Sequence, residues 1–148
     1  METFDPKIKK NDFLELVKNF DIVDTNICEG ENKEWVAIYL KNHSGENLII
    51  DMENEFSLFF KGWHCHYQSN LEEYEELIEI IKDILSNKRF IVCTYYKDGD
   101  VEKPGVAFIS ETNEPINIEK FREENGENKK YECSYWDSVK NQTFEYEI

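Results

Sequence analysis

The apolar positions of this chain keep two rhythms, one helical and one of strands, and the switches between them mark its elements. Phe13, Leu16, Val17 and Phe20 recur at i, i+3, i+4 and i+7, the stripe of a short helix. Asp12 and Glu15 stand three apart, as in a capping box with Asp in the Ser/Thr role. Asp5-Pro6 offers an earlier start, with proline at the first helical position. Period two then takes over. Residues 21–29 read as a strand ending at Gly30. In 35–41, Val36, Ile38 and Leu40 alternate with Trp35, Ala37 and Tyr39. Both faces are apolar, so this strand is expected to be central and covered on both sides. His43-Ser44-Gly45-Glu46 is a turn, and Leu48, Ile50 and Met52 alternate with Asp51 and Glu53 beyond it. After a turn near Asn54, Phe56, Leu58 and Phe60 alternate with Ser57, Phe59 and Lys61.

The helical period returns in Leu71, Tyr74, Leu77, Ile78, Ile81, Ile84 and Leu85. Ser69 and Glu72 have capping-box spacing. Glu72, Glu73, Glu75 and Glu76 crowd the positive end of the helix dipole, with Lys82, Lys88 and Arg89 near the negative end. Residues 89–97 form the next strand, and Asp98-Gly99 is a strong hairpin signal. The return strand runs to about Ile109, and Pro104 marks it as an edge or bulged strand. Residues 111–128 are polar, with one helical turn near Ile118–Glu124 and a turn at Asn125-Gly126. Tyr131, Cys133 and Tyr135, then Phe144, Tyr146 and Ile148, read as a final antiparallel pair. The order is helix, four strands, helix, four strands. Short turns between strands predict one α+β domain over 1–148: a single antiparallel sheet of about seven or eight strands with two helices packed against it.

Composition narrows the function. A chain of 148 residues fits one domain. Its 14% aromatic content opposes disorder despite the heavy charge. Lys plus Arg number 17 against 32 Asp plus Glu, a net charge of −15. That balance disfavours nucleic acid and anionic membranes, steers cationic partners inward, and also serves solubility. The start METFDPKIKK has no apolar signal region, and no apolar run approaches the ~20 residues of a membrane span. A cytoplasmic location is expected, with Cys28, Cys65, Cys93 and Cys133 reduced and no C-x-x-C spacing among them.

Candidate chemistry concentrates in Gly62-Trp63-His64-Cys65-His66-Tyr67, which holds two of the three histidines. On a strand His64 and His66 point the same way and offer two imidazoles to one metal such as zinc. Cys93, Cys133 or a carboxylate would supply a third ligand, yet no ligand pair at zinc-site spacing accompanies them. In a regular strand from Phe56, both histidines fall on the core face. A bulge at Gly62 turns Trp63, Cys65 and Tyr67 inward instead, and that register is favoured because those residues suit a core better. Cys65 and its neighbouring histidines point to opposite faces, so neither is placed as its base. G-x-S-x-G, P-loop and G-x-G-x-x-G motifs are absent, and no catalytic residue is assigned. The acidic helix start is either a solvated face or a docking surface for a basic protein. Trp63, His64, His66, Tyr67, Glu72, Glu73, Glu75 and Glu76 are the candidate partner-binding set, since aromatic anchors beside charge characterise binding hot spots.

The run Phe59-Phe60-Lys61-Gly62-Trp63-His64-Cys65-His66-Tyr67, followed by the acidic amphipathic helix, resembles small acidic bacterial proteins. Some of those are similar to immunity proteins of polymorphic toxin systems. The likeness spans about residues 55–86 and carries over no active site. It implies a cytosolic binding protein that caps a toxin, often a cationic nuclease. The alternatives are a metal-dependent or small-ligand-binding enzyme using His64 and His66, and a homodimer joined through the second apolar face of strand 35–41.

Overall fold

The computed structural model describes residues 2–147, so Ile148, expected in the last strand, lies outside the described residues. The α+β class holds, with every strand pair antiparallel. The single sheet does not. The described residues form one sheet of five strands and another of four, with three α-helices.

The first sheet is a meander, β1 (Asp24–Glu29), β2 (Val36–Lys41), β3 (Asn47–Met52), β4 (Phe56–Phe60) and β5 (Trp63–Tyr67), in that spatial order. The second orders β7 (Val101–Glu111), β6 (Arg89–Asp98), β8 (Lys130–Ser134) and β9 (Gln142–Glu145). The division arises at α2 (Leu71–Leu85), which carries the chain away from β5. When β6 begins, it takes β7 and β8 as neighbours and starts a new sheet. A strand beyond the expected eight also appears, because Lys61-Gly62 is a two-residue turn that separates β4 from β5. Both residues have positive φ, +56° and +88°, which a primed hairpin turn requires. Phe60 pairs directly with Trp63 across it.

Local chemistry sets the helix starts: of the two offered for the first helix the earlier one holds, and the start of α2 differs from expectation. The first helix begins early. Asp5 accepts a hydrogen bond from the Lys7 N–H at 3.1 Å and caps a 3₁₀ turn, Pro6–Lys9, that runs into α1 (Lys10–Val17). Asp12 therefore falls inside the first turn of α1 and caps nothing. The cap of α2 is Asn70, not Ser69. Asn70 Oδ1 accepts from the Glu73 N–H at 2.9 Å, and Glu73 returns a carboxylate oxygen to the Gln68 N–H at 3.1 Å. Ser69 is held by the N-terminal segment, its carbonyl accepting from the Phe4 N–H at 2.9 Å. The helical turn expected near Ile118–Glu124 is α3 (Ile118–Asn125).

The inner face of the first sheet carries Val36, Ile38, Leu40, Leu48, Ile50, Met52, Phe56, Leu58 and Phe60. Against it pack Phe13 and Val17 of α1 and Leu77, Ile81, Ile84 and Leu85 of α2. Each such aliphatic burial stabilises by about 1.5–3 kcal/mol. Ile91 of β6 and Trp136, just beyond β8, join this core. On the opposite face of β6, Phe90 and Val92 join Tyr131, Cys133 and Tyr135 and the Phe121 of α3 in a second core. No helix among the described residues is long and apolar enough to cross a membrane.

The expectation for strand 35–41 is half met. The inner residues of β2 are fully buried, but Trp35, Tyr39, Ile49 and Phe59 on the other side belong to neither core. Among the described residues α1 and α2 pack on the inner side and α3 on the second core, so no helix covers this apolar outer face.

Candidate functional site

Strand register builds the outer face in rows. Asn26, Tyr39, Ile49, Phe59 and His64 align across the five strands. The next row is Cys28, Ala37, Asp51, Ser57 and His66. Trp35 precedes β2 and lies flat over Gly30, where any side chain would collide with the indole. Trp35, Ala37, Tyr39, Ile49 and Phe59 line a groove of about 390 Å³, bounded by Asp51 and Glu53. The same two carboxylates line a polar pocket of about 470 Å³, together with Asn54, Glu55, Ser57 and Ser69. Asp51 is half-buried. That burial, and then the charge of Glu53, hold its carboxyl above the usual range.

His64 and His66 point outward on this face, and the hairpin turn at Lys61-Gly62 is the cause. Their rings lie 5.3 Å apart, edge to face, and His64 stacks on Phe59 at 5.8 Å. Ser57 Oγ and His66 Nδ1 are hydrogen-bonded at 2.8 Å, the tautomer setting which one donates. Glu55 Oε1 lies 3.3 Å from that same nitrogen. A Ser–His–carboxylate relay needs the hydroxyl on one ring nitrogen and the carboxylate on the other. Here both crowd Nδ1, so Ser57 and Glu55 orient the ring and the three do not form a relay.

The proposed third metal ligands lie elsewhere. Cys93 donates its thiol to the Lys61 carbonyl at 3.3 Å, and Cys133 is buried in the second core. Among the described residues, no group of three or more His, Cys, Asp or Glu side chains is disposed to hold a metal ion. Neither of these two thiols is activated. Burial, then Cys93, pushes Cys133 up to about 12, and burial, then Glu132, raises Cys93.

The candidate partner-binding residues fall into separate groups. Trp63 and Tyr67 turn into the first core, with Tyr67 only 9% exposed. Burial, then Cys65, holds the Tyr67 phenol above its ordinary range. Glu72, Glu75, Glu76 and Glu79 line a third groove of about 480 Å³ with Tyr67 and Arg89. Glu73 is turned back into the helix cap. Because α2 packs on the inner side of the sheet, these glutamates and the outward histidines stand on opposite sides of it. The structure brings His64 to His66 and Tyr67 to three of the glutamates, but does not join the two sets.

Trp35, Tyr39, Ile49, Asp51 and Phe59 are the site residues that periodicity alone passed over. Their signal was present: the doubly apolar strand 35–41, with Ile49 and Phe59 at positions where alternation calls for polar residues. Comparisons with protein families, with curated proteins and with solved structures return no match.

Proposed function

We propose that this chain is a small acidic protein-binding module that captures a basic protein partner in the cytoplasm. The resemblance noted in its 55–86 segment assigns the class of partner, a cationic toxin, and the role, an immunity protein. One observation carries the reading: an apolar, aromatic sheet face that no described element covers lies beside carboxylates that have no cation among the described residues. Interfaces favour aromatic anchors of this kind, and a net charge of −15 steers a cationic partner toward them.

Co-expression with the product of the adjacent gene tests the role. Rescue of growth from a toxic neighbour is the expected result; unrelieved toxicity of a neighbour that also shows no binding in vitro counts against it. The association rate with that partner is expected to fall steeply with salt, and also when Glu72, Glu75 and Glu76 are reversed to Lys. A rate indifferent to salt and to charge reversal would sink the electrostatic part, since steering acts on that rate.

A second reading, a metal-dependent or small-ligand-binding enzyme, draws on the 5.3 Å approach of His64 and His66. Elemental analysis of untagged protein decides it. Stoichiometric zinc lost on His64→Ala would replace the binding-module reading.

A further inference from the structure

Two cavities share a wall on the outer face of the first sheet, and they differ in chemistry. The Trp35–Tyr39–Phe59 groove ends at Asp51 and Glu53, and behind them opens the pocket closed by Glu55 and Ser57. Among the described residues, neither cavity is lined by Lys or Arg. Several half-buried carboxylates of the fold are matched: Glu29 by Lys10, Glu46 by Lys61, Asp83 by Arg89, Glu102 by Lys129 and Lys130. Among the described residues Asp51 and Glu53 have no such cation, and Glu55 meets only His66. Ser69 also lines the pocket and is 8% exposed.

Unmatched carboxylates around a half-buried Asp51 destabilise the free fold, because burial penalises the ionised form. A cation entering the pocket removes that penalty. The carboxylates are spread around about 470 Å³ and do not converge as metal ligands, which suits a long cationic side chain. The adjoining aromatic wall suits an apolar neighbour of that side chain, or the stem of the cation itself. The α2 groove is the weaker candidate, since Arg89 lines it and places a positive charge beside its glutamates, and it lacks an aromatic wall like that of Trp35, Tyr39 and Phe59.

We propose that this two-part site is where the basic partner docks. A Lys or Arg side chain enters the Asp51–Glu53–Glu55 pocket, and an apolar residue beside it lies in the Trp35–Tyr39–Phe59 groove. The proposal rests on the binding function above and adds to it the surface and the chemistry recognised.

The test titrates the ¹⁵N-labelled full chain with a short peptide alternating arginine and leucine, at low ionic strength. An equally charged peptide alternating arginine and glycine is the control. Amide shifts are expected to cluster at 51–59 and at the Trp35 indole, with the leucine peptide binding tighter. The isosteric double variant D51N/E53Q is expected to weaken binding at least about tenfold, as loss of a close charge pair does. The helix variant E72Q/E75Q/E76Q is expected to change it by less than about twofold, the scale of exposed charges. Melting curves verify folding, and Glu55→Gln with Trp35→Leu repeats the measurement should the double variant unfold. Shifts mapping to α2, with affinity lost in the helix variant, would overturn the site while leaving the binding function in place. Absence of shifts with both peptides would overturn the site as well, and the neighbouring toxin then judges the function separately. Equal binding of the two peptides would overturn the apolar half. Sedimentation as a dimer whose interface protects 35–59 would assign the face to a second copy and overturn the whole proposal.

Discussion

Asn42 shows how much one side chain can organise. It is 2% exposed, and its Oδ1 accepts from the Ser44 N–H, the Ser44 hydroxyl and the Glu46 N–H. Its amide donates to the Trp136 carbonyl at 3.0 Å, tying the β2–β3 turn to the second sheet. Asn42→Ala orphans several polar groups at once, so a loss of about 2–3 kcal/mol in urea denaturation is expected. Gly62 is constrained for a different reason. An added Cβ would meet nothing closer than Cys93 Sγ at 3.9 Å, so space is not the issue. Its φ of +88° is, and Gly62→Ala is expected to cost about 1–2 kcal/mol from left-handed strain alone. Asp51 should behave in the opposite sense. Its carboxyl is raised by burial and then by Glu53, so the folded state holds the proton more tightly than the unfolded state. That contribution is present below the unfolded carboxylate range and lost as pH rises through the folded one. Asp51→Asn is therefore expected to raise the melting temperature at neutral pH, an advantage that shrinks in mild acid, while binding of basic peptides falls. An unchanged melting temperature at neutral pH would contradict the buried, unmatched carboxylate.

Among the elements, α2 offers the cleanest test, because two capping boxes compete one residue apart in its sequence. The observed box joins Asn70 and Glu73. Asn70→Ala is expected to cost about 1 kcal/mol, the usual worth of an N-cap, and Glu72→Ala close to nothing. Thermal denaturation of the two variants separates the registers, and a larger loss for Glu72→Ala would favour Ser69 as the cap. The β4–β5 hairpin shows how a turn can change the meaning of a strand. Read as one strand with a bulge, Phe56–Tyr67 has one course; as a hairpin it doubles back and places His64 beside Phe59 and His66 beside Ser57. The side-chain parity is the same either way, but the neighbours differ. Those neighbours make the outer face a site.

Over the whole molecule, the two sheets share apolar packing through Ile91 and Trp136, and a few specific hydrogen bonds fix the chain around that junction. Trp136 donates its indole N–H to the Asp21 carbonyl at 2.8 Å and Cys93 its thiol to Lys61, while the Asp137 N–H bonds Asn87 Oδ1, in the connection between α2 and β6, at 2.8 Å. The net charge of −15 works against the compact state by self-repulsion. Raising sodium chloride from a few millimolar toward physiological strength is expected to increase the melting temperature, because exposed like charges are screened over about 8 Å at that ionic strength. The same salt should slow capture of a cationic partner. A melting temperature that falls with salt would mean that attractive surface pairs outweigh the repulsion.

Much of this could be read along the chain. The strand and helix periods, the hairpin at Asp98-Gly99 and the outward register of the histidines are local matters. Each depends on side-chain alternation, a turn residue's φ or the helical repeat, and neighbouring residues settle these. The number of sheets is not local, since it depends on whether β6 finds β5 or finds β7 and β8, and the pairing reaches far along the sequence. The site is not local either. Asp51 and Ser57 share a row through register, Trp35 lies over Gly30, and the expected aromatic–acidic patch is divided because α2 packs beneath the sheet while the histidines stand above it. Periodicity tells which residues face apart from one another along a strand. Which face is covered, and which carboxylate is left without a cation, follows from how the elements pack in space.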